Sequence, residues 1–188
     1  MINLLNLSAG DNILFSGIIY TARDQAHKRL AQDIGKGKKL PFDIFGSVIY
    51  YCGPTRACRG KVIGTSTSLS VDGEQGGQRQ PRRIIGSCGP TTSSRMDEFT
   101  PLLLKKGLKA MIGKGRRSRE AVAAIKKHKA VYLLAPAGCG ALVSKYVKKA
   151  RPIAYPDLGP EQILRLEVEN LPLIVAIDRM GRSIYGED

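Results

Sequence analysis

Cys88-Gly89-Pro90-Thr91-Thr92-Ser93-Ser94-Arg95-Met96-Asp97 is the stretch on which the reading of this chain turns. It lies between a short apolar run, Ile84-Ile85, and an apolar-periodic segment carrying Met96, Phe99, Leu102 and Leu103. That order is strand, tight turn, helix. A Gly-Pro turn feeding hydroxyl residues into a helix start leaves N–H and O–H groups pointing one way. The helix dipole adds to their pull on an anion. Arg95 brings a planar fork suited to two-point capture of a carboxylate or phosphate. The same residues would equally serve as a Thr/Ser helix cap beside a surface arginine.

Outward from this turn, strands alternate with helices, the pattern of an α/β domain. Asn12 to Ala22 reads as a buried strand. Asp24 is placed to cap a helix with Ala26, Leu30 and Ile34 on one face, ending near Gly35 and Gly37. Arg23 and His27 flank that helix start, and His27 taken alone reads as a packed or surface histidine. Residues 35–41 form a basic, glycine-rich loop, and Phe45 to Tyr51 a second strand ending at Cys52-Gly53-Pro54-Thr55. Residues 56–83 lose periodicity and read as a flexible flap with one short strand at Val62-Ile63. Lys61-Val62-Ile63-Gly64-Thr65-Ser66 echoes Arg83-Ile84-Ile85-Gly86-Ser87-Cys88, but one echo does not make a repeat.

Downstream, the helix after the central turn runs to Lys106, with Thr100-Pro101 as either its first turn or a kink. Lys109 to Ile112 is a strand, and Gly113-Lys114-Gly115-Arg116-Arg117-Ser118 a second basic turn. A helix with Ala121, Val122 and Ile125 inward leads to a strand over Val131 to Ala135. Leu142, Val143, Tyr146 and Val147 mark an amphipathic helix. The last third reads as a strand (Ile153-Ala154-Tyr155), a short helix from Pro160, a strand (Leu173 to Ile177) and a turn at Asp178 to Gly181. Residues 1–188 fit one domain, with 56–82 as an insertion within it.

Composition narrows the function. Hydrophobic residues make up 43% and charged residues 24%, which is globular. No apolar run is long enough to span a bilayer, and no leader is evident, so a cytoplasmic protein is expected. Cys52, Cys58, Cys88 and Cys139 form no Cys-x-x-Cys pair, and His27 and His128 are the only histidines. A metal cage built by this chain alone is therefore not expected, although spread cysteines can converge in space. The net charge is +14. Between Lys105 and Lys129 stand ten Lys/Arg against one acid, Glu120. Such charge suits nucleic acid, an acidic partner or an anionic substrate. Aromatics are only 6% with no Trp, so a base-stacking surface is poorly supplied. A solvated face or an acidic partner explains the charge better than nucleic acid does.

Three strand-to-helix junctions carry a cation: Arg23, Arg95 and Lys114. If their strand ends share one crevice, three cations surround a small anion, which suits a substrate with two carboxylates. Gly113-Lys114-Gly115 lacks the spacing of a Walker loop. Thr91 or Thr92 transfers a proton only if its hydroxyl is strongly activated. The residues alone amount to half of an active site for a small carboxylic acid.

The stretch from Gly89 to Asp97, followed by Gly113-Lys114-Gly115, resembles the β subunit of class I fumarate hydratase and the C-terminal domain of its single-chain forms. The β subunit of L-tartrate dehydratase is a close relative. Thr21-Ala22-Arg23-Asp24-Gln25-Ala26-His27 is similar to the family's Gly-Arg-Asp-x-Ala-His segment, with Ala22 for the usual Gly. Asp157-Leu158-Gly159-Pro160-Glu161 and Val168-Glu169-Asn170-Leu171-Pro172 match in order. The resemblance implies a swivelling β/β/α three-layer domain and a hydro-lyase converting fumarate and L-malate, inactive without its α subunit. That partner, in an α2β2 heterotetramer, would hold a four-iron, four-sulfur (4Fe-4S) cluster. Arg23, Arg95 and Lys114 would bind the substrate carboxylates, with Thr92 and His27 beside them. Thr91 would stand at the carbon that exchanges a proton, working with an acid from the partner. Residues 56–82 exceed the family's expected connection, and Arg116 stands where the family often has Asn.

Overall fold

The computed structural model describes residues 6–55 and 85–186. In order these form β1 (Asn12–Thr21), α1 (Asp24–Gly35), β2 (Val48–Tyr50), a 3-10 turn (Ser93–Met96), α2 (Thr100–Lys105) and β3 (Ala110–Gly113). There follow α3 (Arg119–His128), β4 (Val131–Leu134), α4 (Gly140–Val143), a 3-10 turn (Ser144–Tyr146), β5 (Val147–Ala154), a 3-10 turn (Pro156–Glu161) and β6 (Ile163–Ile177). The expected α/β character holds.

Strands β1, β2, β3 and β4 lie parallel and side by side. β6 runs antiparallel to both β4 and β1 and so closes the sheet into a five-strand circuit, while β5 pairs with the first half of β6. Both faces of the middle strands are buried, which is why they read as continuous apolar runs. Val48, Tyr50, Ala110, Ile112, Val131 and Leu133 join one core inside the closed sheet. Their alternates Ile49, Tyr51, Met111 and Tyr132 join a second core with Leu30 of α1, Leu103 of α2 and Ile125 of α3.

β1 is buried on one face only. Phe15 and Ile19 are buried, whereas their neighbours Leu14 and Ile18 are 61% and 42% exposed. Asp24 is the first helical residue and not the cap, a place taken by Arg23 without a side-chain cap bond. Phe45 lies outside the shortened β2 and is exposed. The helix expected after the central turn divides into the 3-10 turn and α2, with Pro101 in the first turn of α2.

The C-terminal third differs most from expectation. The helix expected at Leu142 to Val147 is a single turn, α4, and Val147 already begins β5. The helix expected from Pro160 gives way to the 3-10 turn and to β6, which spans 15 residues. β6 was hidden by a β-bulge. Its inward residues run Leu164, Leu166, Val168 and then Leu171, Leu173, Val175, so the alternation slips by one residue. Two residues, Glu169 and Asn170, stand opposite Ser16, whose Oγ accepts the Asn170 N–H at 2.9 Å. Asn170 adopts φ 54°, a conformation asparagine tolerates. The flap, the Val62-Ile63 strand and the echoed segment lie outside the described residues, as does Ile84. No helix among the described residues is long and apolar enough to cross a membrane.

Gly113 closes β3 where the chain has no room for a side chain. A Cβ there would collide with Ser93 Oγ and stand 2.9 Å from Tyr51 Cδ2. Gly113→Ala is expected to destabilise the protein by about 1–3 kcal/mol. Urea denaturation checks this.

Candidate active site

The parallel strands end on one edge, and the central turn is spliced into that edge by its backbone. Thr91 N–H donates to the Tyr51 carbonyl at 2.7 Å, and Lys114 N–H donates to the Thr91 carbonyl at 3.3 Å. Thr92 bridges Lys114 in parallel, and Ser93 N–H donates to the Lys114 carbonyl at 3.0 Å. The turn thus extends the sheet between the ends of β2 and β3. The Thr91 and Ser93 N–H groups are therefore spent on the sheet and are not donors of the expected anion cradle. The following 3-10 turn has four residues and no side-chain cap.

The cations gather around a carboxylate of the chain itself. Arg95 holds Asp24 two-pronged, with Nε to Oδ1 at 2.8 Å and an Nη to Oδ2 at 2.6 Å. Arg23 reaches the same Oδ2 at 3.7 Å and Glu161 Oε1 at 3.8 Å. Glu161 also accepts the Gln25 N–H at 2.8 Å, satisfying an open donor of the first turn of α1. Gly53 leaves Arg23 its room, since a Cβ there would sit 2.9 Å from the guanidinium. Lys114 is half-buried, and among the described residues neither its ammonium nor the Thr91 hydroxyl has a hydrogen-bond partner. Thr92 is exposed.

His27 is fully buried, its ring centroid 5.2 Å from that of Tyr51 in an edge-on arrangement. Its Nδ1 lies 2.9 Å from the Arg23 carbonyl, so Nδ1 carries the hydrogen and Nε2 is a bare acceptor. That Nε2 and the Arg23 Nε are buried without a partner among the described residues. Burial pushes the imidazole down from 6.5 to about 4, against the opposing pull of the Arg23 carbonyl.

Arg117 is the residue sequence reasoning missed. Its side chain is 0% exposed. Nε donates to Asp97 Oδ1 at 2.5 Å, one Nη donates to Thr100 Oγ1 at 2.6 Å, and the guanidinium lies 4.9 Å over Tyr132 and 5.4 Å over Tyr51. Asp97 Oδ2 accepts the Ser118 N–H at 2.6 Å. The Tyr132 hydroxyl in turn donates to the Gly115 carbonyl at 2.9 Å and accepts from the Ser93 hydroxyl at 2.8 Å. The two Asp97 contacts tie the end of the Thr91 turn to the Lys114 turn, and Tyr132 touches both turns through Ser93 and Gly115. No sequence signal separates Arg117 from its neighbour Arg116, whose guanidinium packs over Tyr185 at 5.3 Å.

The basic run from Lys105 to Lys129 is not one patch. Lys114, Arg116, Arg117 and Arg119 follow β3 at the site edge, whereas Lys105, Lys106, Lys109, Lys126, Lys127 and Lys129 lie where chains enter β3 and β4, at the opposite end. Cys52 and Cys88 face each other at 3.3 Å between sulfurs, both buried, and Cys139 is exposed. The Cys88 contact and burial push the Cys52 thiol well up. Among the described residues no group of three His, Cys, Asp or Glu could hold a metal ion. Cys58 lies outside them.

The chain matches a family model described as Fumarase C-terminus over residues 2–69 and 77–187. It is 37% identical over 185 residues to a Methanocaldococcus jannaschii protein provisionally named L(+)-tartrate dehydratase subunit beta, covering 96% of this chain and 85% of that one. It is 33% identical over 172 residues to the anaerobic class I fumarate hydratase of Escherichia coli, covering 90% of this chain and 27% of that one. Against fumarate hydratase 2 of Leishmania major the identity is 30% over 180 residues, with 95% and 28% covered. The chain belongs to the Fumarase C-terminus family. It spans most of the first relative but roughly a quarter of the two fumarate hydratases.

Two outcomes follow from the buried charges. The unfolded chain protonates His27 near pH 6.5 and the folded protein only near 4, so stability falls as pH drops through that window. The loss reaches roughly 3 kcal/mol at its acid end. His27→Gln should flatten this limb, read from denaturation midpoints across pH. Asp97→Ala strands the Arg117 charge and should cost about 3–5 kcal/mol in the same measurement.

Proposed function

We propose that this chain is the β subunit of a class I fumarate hydratase, supplying the carboxylate-binding and proton-transfer side of the reversible hydration of fumarate to L-malate. The observation that carries this reading is that the two guanidinia expected to bind substrate, Arg23 and Arg95, already converge on one carboxylate, Asp24. Beside them the backbone couples Thr91 to Lys114.

In this reading Arg23, Arg95 and Lys114 hold the two carboxylates of the substrate, with Thr92 and His27 flanking them. Hydration adds a hydroxyl to one olefinic carbon and a proton to the other. The Thr91 hydroxyl stands at the carbon that exchanges the proton, and the cations around it lower the cost of charge on its oxygen. In this reading the 4Fe-4S cluster that the family resemblance implies is held by the partner α subunit, and among the described residues no group of three His, Cys, Asp or Glu is placed to hold a metal ion. The assembly is α2β2. In this reading the closed sheet, with α1, α2 and α3 packed on its outer face, corresponds to the swivelling β/β/α layers that the resemblance implies and presents the site edge to that partner.

L-tartrate dehydration has its own support. The relative with that name is 37% identical and matches as a separate subunit, with 85% of its length covered. The two readings share the site and differ in substrate.

Anaerobic co-purification with the cluster-bearing subunit tests both. Fumarate hydration is expected only in the mixture, and Arg95→Ala or Lys114→Ala should lower kcat/KM by about 100-fold or more. Conversion of tartrate alone would change the substrate and keep the architecture. Full activity from the isolated chain would overturn the reading.

A further inference from the structure

Asp24 has no task in the scheme above, yet its carboxylate is where two of the substrate-binding cations meet. Both contacts use it differently. Arg95 closes on it with the Nε edge of its fork, at 2.8 and 2.6 Å, whereas Arg23 approaches Oδ2 at 3.7 Å. The remaining N–H groups of Arg95 face away from Asp24, and half of that side chain is exposed, so an incoming carboxylate can reach them.

The two ends of this pair are not equally fixed. Asp24 begins α1, a helix of 12 residues. Its start is pinned by Glu161 on the Gln25 N–H and by the Arg23 carbonyl, which accepts both the N–H and the Nδ1–H of His27 at 2.8 and 2.9 Å. Arg95 sits on a four-residue 3-10 turn, at the end of a long side chain. The helix residue therefore sets where the guanidinium stands. Without the carboxylate, two like charges would repel across the same space.

We propose that Asp24 is a positioning residue that fixes the spacing between Arg23 and Arg95, and so the length of dicarboxylate that the pair accepts. This rests on the reading of both arginines as substrate ligands. Asp24 fixes the free site in its binding geometry, which saves the ordering that substrate would otherwise have to impose. It does not compete with substrate, because it holds only one edge of the Arg95 fork.

The test uses the assembled α/β enzyme, with succinate and glutarate as four- and five-carbon competitive inhibitors. Asp24→Asn keeps the shape but weakens the fork, and should raise KM about tenfold while kcat changes much less. Asp24→Glu lengthens the strut by one methylene, and should narrow the preference for succinate over glutarate by several-fold. In an Arg95→Ala background, Asp24→Asn should add little, because the two act as one unit. A KM that falls in Asp24→Asn would overturn the inference, since Asp24 would then be a competitor of substrate. It would equally be overturned if Arg95→Ala raises KM and neither Asp24 variant moves KM or the inhibitor ratio. If Arg95→Ala itself leaves KM unchanged, the underlying reading of the site fails instead. Thermal melting separates these from unfolding, and Asp24→Asn decides alone if Asp24→Glu does not fold.

Discussion

The hydrogen bonds that lay Thr91 between Tyr51 and Lys114 are the constraint on which the site depends. A loop whose N–H groups faced a ligand would have to be held by side chains alone. Here the backbone of Thr91 and Thr92 is a short extension of the parallel sheet, so its position inherits the rigidity of β2 and β3. The cost is that the Thr91 and Ser93 N–H groups are no longer available to an anion. In the proposed reading the side-chain cations Arg23, Arg95 and Lys114 take over that part.

The splice is in turn braced from below by a buried charge. Arg117 carries a guanidinium into the core between Tyr51 and Tyr132, where Asp97 and Thr100 satisfy it. Burial works against that charge, and the tyrosines and Asp97 more than offset it, leaving its pKa raised. A buried pair of this kind adds little net stability compared with apolar packing. Its value here is geometric, since it locks the Met96-Asp97 end of one turn to the Arg117-Ser118 end of the other. The site and its brace are thus the same network seen from two sides.

Much of this was legible in the residues. Strand and helix alternation gave the α/β class, and the Gly-Pro-Thr-Thr and Gly-Lys-Gly turns marked the two loops that the structure brings together. Arg23 and Arg95, far apart in the chain, share one carboxylate as a common crevice requires. What could not be read has physical reasons. The bulge at Glu169-Asn170 shifts the inward phase of β6, so a single long strand reads as fragments. Leu142 to Val147 satisfies helical spacing over too few residues to sustain a helix, and β6 claims Val147 for β5. The Asp97–Arg117 pair spans 20 positions and has no periodic signature. The roles of Asp24 and Glu161 depend on side-chain directions at a helix start, which spacing does not encode.

The most direct measurement is the structure of the anaerobically assembled complex with succinate bound. Both carboxylates of the ligand are expected within hydrogen-bond distance of Arg23, Arg95 and Lys114, with the Thr91 hydroxyl over the carbon chain and Asp24 still in the Arg95 fork. Succinate bound elsewhere, or held by the partner subunit alone, would contradict it.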